Sequence, residues 1–208
     1  MEDATSPRAR YRAQVRTEIK EHAWRQIAGA GASALSLNAI AKNMGMTGPA
    51  LYRYFGSRDD LLTELVTDAY RSLADTFRAA SGEGLTGLGH ALRGWALADP
   101  QRYFLVYGTP VPGYHAPDDV TAIAAEIMAV LLDACATGPA PAPAPDLDAH
   151  LAGHRAWDGG HGASEPVLRR ALTAWTRLHG VLSLELAGHF TGMGFDPVLL
   201  FDAELSAL

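Results

Sequence analysis

Apolar residues recur at three- and four-residue intervals along most of the chain and clear β-runs are absent, so the pattern is that of helices. The first stripe is Val15, Ile19, Ala23 and Ile27, with Trp24 alongside. It predicts a helix over residues 10–30, closed by Gly29 and Gly31. Residues 1–9 read as a disordered arm. The second stripe, Leu37, Ile40, Ala41 and Met44, predicts a helix over 36–44 that Ser36 caps and Gly45 ends. Thr47 is a second N-cap, Pro49 fits a first helical turn, and Leu51 and Phe55 at i and i+4 face inward over 48–55. Tyr52, Arg53 and Tyr54 are left pointing outward. Two short helices meeting at a glycine, the second with exposed Tyr and Arg, make the pattern of a helix-turn-helix whose second helix enters the DNA major groove.

Downstream, Ser57 is an N-cap, and Asp59 and Asp60 suit the positive end of a helix whose apolar face, Leu61 to Phe77, reaches residue 80. A glycine-rich linker at 81–89 runs into a helix over 85–98. Pro100 sits in the first turn of the next, over 99–107, and Ile123, Ile127, Val130 and Leu131 carry another over 117–136. Residues 138–146 alternate Pro with Ala, which favours polyproline II. Glycine and charge follow to residue 164, so 137–164 as a whole reads as a long mobile insertion. Helices over 165–191 and 197–207 complete an all-α chain.

The net charge of −6 over 208 residues argues against nucleic acid only when read globally. Residues 1–58 hold nine Lys and Arg against four Asp and Glu, whereas 59–208 hold eight against nineteen. The positive excess coincides with the helix-turn-helix, and local field decides DNA approach. No apolar run reaches the ~18 residues of a membrane span. The polar N-terminus has no signal-peptide core, and the single Cys135 excludes an internal disulfide. A soluble, cytoplasmic protein is expected.

Gly31, Ser36, Ile40, Ala41, Gly45, Met46, Thr47, Leu51, Tyr52, Tyr54, Phe55, Ser57, Arg58 and Leu61 follow one another in an order and spacing that resembles the DNA-binding region of TetR/AcrR-type transcriptional repressors. Tyr54 stands where His is common and Arg58 where Lys is usual. The resemblance implies a three-helix DNA-binding domain at 1–56. A helical-bundle domain for ligand sensing and dimerisation would follow at 57–208. Among the residues themselves, Arg53 carries the strongest base code, a bidentate pair to guanine O6 and N7. Thr47, Gly48, Ala50 and Tyr52 share its face of the groove. The resemblance places Tyr52 and Arg58 on phosphates, and Ser36, Thr47, Tyr54, Arg10 and Arg12 are further phosphate candidates. Tyr52 also suits a staple between the first and third helices.

Trp175, His179 and Gly180 resemble the Trp…His-Gly signature of one C-terminal, ligand-sensing domain type of this family. With the aromatic run before residue 115 they define a candidate ligand wall: Trp95, Tyr103, Phe104, Tyr107, Met128, Trp175 and His179. Core packing is the other reading of the same residues. The family pairs its last two long helices across a dimer, which points to Leu182, Leu186, Phe190, Leu199 and Leu200. The expected function is a ligand-responsive repressor: a homodimer on double-stranded DNA, released by a small apolar or aromatic molecule.

The alternatives are a small-molecule-binding protein or enzyme on the same helical scaffold, and a protein–protein adaptor. The sequence has no nucleophile elbow, phosphate loop, HExxH or paired-Cys pattern, so no catalytic residue and no cofactor is expected. Asp148, His150, His154, Asp158 and His161 look like metal ligands. With no rigid frame around them, a solvated linker is the better reading and no metal is expected.

Overall fold

The computed structural model describes residues 6–115, 117–138 and 142–208. Ten α-helices and no strand occur among the described residues. They are α1 (Pro7–Ala30), α2 (Leu37–Asn43), α3 (Gly48–Tyr52), α4 (Arg58–Ala79) and α5 (Gly84–Ala98). The rest are α6 (Pro100–Tyr107), α7 (Asp118–Ala136), α8 (Pro145–Gly153), α9 (Glu165–Leu186) and α10 (Pro197–Ser206). The chain divides into two compact units, Met1–Asp68 with Phe104–Ala116 and Ala69–Tyr103 with Pro117–Leu208, so the division falls inside α4.

The first unit is closed by Ile19 of α1, Ile40 of α2, Leu51 of α3, Phe55, and Leu61 and Leu65 of α4, all buried. The turn between α2 and α3 follows from Gly45. Its φ of +66° lets its N–H reach the Lys42 carbonyl at 3.2 Å and the Met46 N–H reach Ala41 at 2.8 Å, so the last carbonyls of α2 are satisfied. Ser57 Oγ accepts the Asp60 N–H at 3.0 Å and starts α4 as expected.

Three boundaries differ from the sequence pattern. Helix α1 begins at Pro7, within the stretch expected to be a disordered arm, because Ser6 accepts the Ala9 N–H at 3.1 Å and Pro7 needs no partner; residues 1–5 lie outside the described set. Helix α3 stops at Tyr52 rather than 55, since the Tyr54 N–H turns back to Leu51 at 2.8 Å. Helix α9 stops at Leu186 rather than 191. Gly188, at φ +78°, lets the His189 N–H close on the Leu184 carbonyl at 2.9 Å, which leaves Phe190 outside the helix.

The insertion also departs from expectation. Residues 145–153 form α8, whose Leu151 is buried, and the segment is tied down on both sides. Arg169 of α9 donates to Asp148 at 2.7 Å and to the Ala142 carbonyl at 2.5 Å. Arg155 grips Asp158 through two bonds of 3.0 and 2.8 Å and the Ala163 carbonyl at 2.7 Å. Pattern alone missed this, because the cations that organise the segment include one on the next long helix. Asp148 and Asp158 take the Arg169 and Arg155 guanidiniums, His161 lies 2.9 Å from Asp133, and the rings of His150 and His154 stack 4.0 Å apart. No group of three metal-ligating side chains exists among the described residues.

Candidate nucleic-acid interface and the buried Tyr103–His179 cluster

Helix α3 turns Leu51 inward and Pro49 and Tyr52 outward, with Gly48 and Ala50 half-buried. Leu51 has no exposed surface, while Tyr52 is 46% exposed and Thr47 and Arg53 are open to solvent. The exposure of Tyr52 leaves part of its ring open for contact. Thr47 opens the helix without spending its hydroxyl on the cap, whereas Ser36 accepts the Ala39 N–H at 3.4 Å. The far end of α3 is held from α1. Arg12 Nη2 donates to the Arg53 carbonyl at 3.4 Å, and Arg16 donates to the Tyr54 carbonyl. Arg16 also pairs with Glu64 and lies 4.3 Å over the Phe55 ring. Burial, and then the charge of Arg12, lower its pKa from the usual arginine value.

Beside this clasp is a concavity of about 350 Å³ lined by Arg8, Tyr11, Arg12, Met46, Ala50, Arg53 and Tyr54. Three guanidiniums and two phenol rings around an open hollow suit a phosphodiester backbone, with charge-assisted bonds to phosphate and aromatic edges toward sugar. Arg8 and Tyr11, the latter 65% exposed, were absent from the candidate set. A detectable signal existed: Arg8, Tyr11 and Arg12 stand at i, i+3 and i+4 and share one helix face. Arg10, on a different face, does not line the hollow.

Arg58 is engaged within the chain. Its guanidinium donates to the carbonyls of Leu35 at 3.1 Å, Ala32 at 3.0 Å and Ser33 at 3.4 Å, and pairs with Asp59 at 3.2 Å. Its guanidinium serves the turn between α1 and α2. Arg58→Ala is therefore expected to lower the stability of the first unit by roughly 1–2 kcal/mol, by stripping bonds from part-buried carbonyls. The slope of DNA affinity against salt should stay unchanged. Denaturant melts and salt titrations check both; a shallower salt slope contradicts this assignment.

In the second unit, Tyr103 is fully buried, and its hydroxyl lies 3.0 Å from His179 Nδ1 and 2.8 Å from Ser183 Oγ. The Trp175 ring packs 4.2 Å from His179, whose pKa burial pushes down to about 4; burial also raises that of Tyr103. Trp95 donates to Ser72 at 3.1 Å. A small cavity of about 10 Å³, room for one water at most, lies between Phe77 of α4, Leu88 and Leu92 of α5, Leu131 of α7, and Trp175 and Leu178 of α9. Of the candidate ligand wall, Trp175 lines it, Tyr103 and His179 form the adjoining polar cluster, and Trp95 and Met128 do not line it. Phe104 and Tyr107 fall in the first unit. Leu182 also needs correction: with no exposed surface in the single chain it is core, not interface. Leu199 is 67% exposed and Leu184 45%, whereas Leu186, Phe190 and Leu200 are half-buried.

Residues 19–65 match the family model described as bacterial regulatory proteins, tetR family, and residues 85–208 match that of the tetracyclin repressor-like C-terminal domain. The chain belongs to the TetR family. It is a DNA-binding transcriptional regulator of that family. HTH-type transcriptional regulators Mb1846 of Mycobacterium bovis and Rv1816 of Mycobacterium tuberculosis are each 38% identical to it, over 95% of this chain and 92% of theirs. The crystal structure of "putative regulatory protein SCO4313" is 67% identical, with a TM-score of 0.89 over 97% of this chain and 98% of the other. A protein of unknown function from Rhodococcus sp. RHA1, 22% identical over 93% of this chain and 95% of that one, shares the fold with a TM-score of 0.65. Trp175, His179 and Gly180 lie inside the C-terminal match.

Proposed function

We propose that this TetR-family regulator is a homodimeric repressor that a small apolar or aromatic molecule releases from its operator. The observation that carries the DNA half is the continuity of the exposed α3 face with the hollow formed by Arg8, Arg12 and Arg53. Arg53 reads a guanine, Thr47, Gly48, Ala50 and Tyr52 lie against neighbouring base edges, and Arg8, Tyr11, Arg12 and Tyr54 hold the backbone. One such head has too short a reach for tight, specific binding. Two copies on half-sites about one turn apart add their free energies. The exposed apolar side chains of Leu184 and Leu199 support self-association. Support for a ligand of this class is the apolar lining of the cavity beside Trp175. Such a ligand releases DNA only by binding the non-DNA-binding state better. A regulator that acts on chromosomal DNA works in the cytoplasm; no helix among the described residues is long and apolar enough to cross a membrane.

The test is a gel-shift of the purified protein on the DNA upstream of its own gene at two salt concentrations. Arg53→Ala is expected to weaken binding about 10- to 100-fold and relax the preference at one base pair per half-site. An unchanged operator preference in that variant would remove Arg53 from base readout.

A further inference from the structure

The side chains of a groove-bound helix that come nearest the base edges are those of its first turn. In α3 these belong to Gly48, Pro49 and Ala50, and none carries a hydrogen-bonding atom. Thr47 at the N-cap offers one hydroxyl, and Leu51 is turned inward. The space beside Gly48 is nevertheless occupied by a polar group. A Cβ at Gly48 would lie 3.4 Å from Asn38 Oδ1, in van der Waals contact with the amide. The head group of an α2 residue thus stands where the first side chain of α3 would begin. Asn38 is fixed at its backbone. Gln26 of α1 accepts the Ser36 N–H at 2.9 Å and donates to the Ser36 carbonyl at 3.4 Å. Leu37 and Ile40, on the two sides of Asn38, are buried, so the first turn of α2 cannot rotate without exposing them. Asn38 and Ala39 face solvent, and no hydrogen bond engages the Asn38 amide among the described residues.

We propose that Asn38 is a base-reading residue of this regulator and recognises an adenine in the major groove. The assignment rests on the reading of α3 as the groove helix, and it adds a specificity determinant that α3 itself does not contain. An asparagine amide matches the adenine edge with two bonds: Oδ1 accepts from N6 and Nδ2 donates to N7. A neutral amide carries no charge to a phosphate, so its natural use at a DNA surface is base readout rather than general attraction. Asn38 stands beside the first residue of α3 and Arg53 is its C-cap. A helix of five residues is about 7.5 Å long, or roughly two base-pair steps. The adenine of Asn38 and the guanine of Arg53 therefore fall within about three base pairs of each other in one half-site. Gly48 belongs to the same device, because a side chain branched at Cβ would push the amide from its place.

The experiment is selection of bound duplexes from a random-sequence pool by the full chain, by Asn38→Ala and by Arg53→Ala, followed by affinities on the site the wild type selects. Asn38→Ala is expected to bind that site about 5- to 100-fold more weakly and to lose its preference at one A·T pair per half-site, with the other preferences kept. Its thermal melt should match that of the wild type, since Asn38 is exposed and alanine is the better helix former. Replacing the adenine of that pair by 7-deazaadenine, which lacks the N7 acceptor, should weaken the wild type several-fold and leave Asn38→Ala unaffected. Gly48→Val should disturb selection at the same pair. Equal weakening of Asn38→Ala on every duplex would make Asn38 a phosphate contact and overturn base reading. A change confined to the pair that Arg53→Ala relaxes would make it a positioning residue, which also overturns the proposal. If Asn38→Ala selects the wild-type site unchanged, this proposal falls and the regulator reading stands. A wild type that selects no sequence overturns both.

Discussion

Leu51→Ala is expected to destabilise the first unit by about 2–5 kcal/mol and to abolish specific operator binding. Helix α3 is five residues long, far too short to persist by its own hydrogen bonds. Its place depends on Leu51, with no exposed surface, and on Phe55 just beyond it at 2%. Truncating Leu51 removes the anchor in the middle of the recognition helix, and the surrounding side chains of α1, α2 and α4 cannot collapse into the space without shifting α3. The contrast with Arg53→Ala is informative. That variant should bind more weakly and less selectively while melting as the wild type does, because its side chain contributes little to packing. Chemical denaturation followed by α-helical circular dichroism, with gel-shifts on the same samples, separates the two. A Leu51→Ala protein of wild-type stability would mean that α3 is held chiefly by the arginine clasp from α1.

The second large effect concerns acid. Burial lowers the His179 pKa from 6.5 to about 4. In the unfolded chain the imidazole takes up a proton near pH 6.5, whereas in the folded protein it stays neutral until about pH 4. Between those values the unfolded state binds more protons, so stability is fully present above about pH 6.5 and falls as the pH drops toward 4. The gap corresponds to roughly 3 kcal/mol. Tyr103 and Ser183, which lie against the ring, stay neutral through this range and offer the imidazolium no counter-charge. His179→Gln removes the titration and keeps a polar side chain near the Tyr103 hydroxyl. The variant should be less stable than the wild type at pH 7.5 and lose less on acidification, so the two melting curves converge near pH 4.5. Parallel curves across that range would show that His179 is solvated in solution. Ligand release assays are best run above pH 7, where this equilibrium does not intrude.

Much of the molecule is legible from residue order because the signals are local. An apolar residue every third or fourth position marks a helix face. Ser57 starts α4 from within its own turn, and Gly45 ends α2 by a conformation that other residues adopt at a penalty. The helix-turn-helix is a string of such local decisions, and its outward Tyr52 and Arg53 follow from the inward Leu51. The cluster around His179 was partly legible too. His179 and Trp175 are four apart on one helix, but their meeting with Tyr103 spans most of the second unit and carries no mark in the spacing.

By itself, then, the sequence determined an all-helical chain, the family, the position and facing of the recognition helix, and the separation of positive from negative charge. Each rests on interactions within one or two helical turns or on a charge count. The tertiary structure alone decided what the long cationic side chains do. Arg58 was a phosphate candidate by position, and folding brings three backbone carbonyls to it. Arg8 was one of a run of arginines, and folding sets it beside Arg53 around one hollow. Arg169 turns a Pro- and Gly-rich stretch into an anchored helix by reaching Asp148. A guanidinium on a flexible stem reaches partners far away in sequence, and which acceptors come within range is set only when the helices pack.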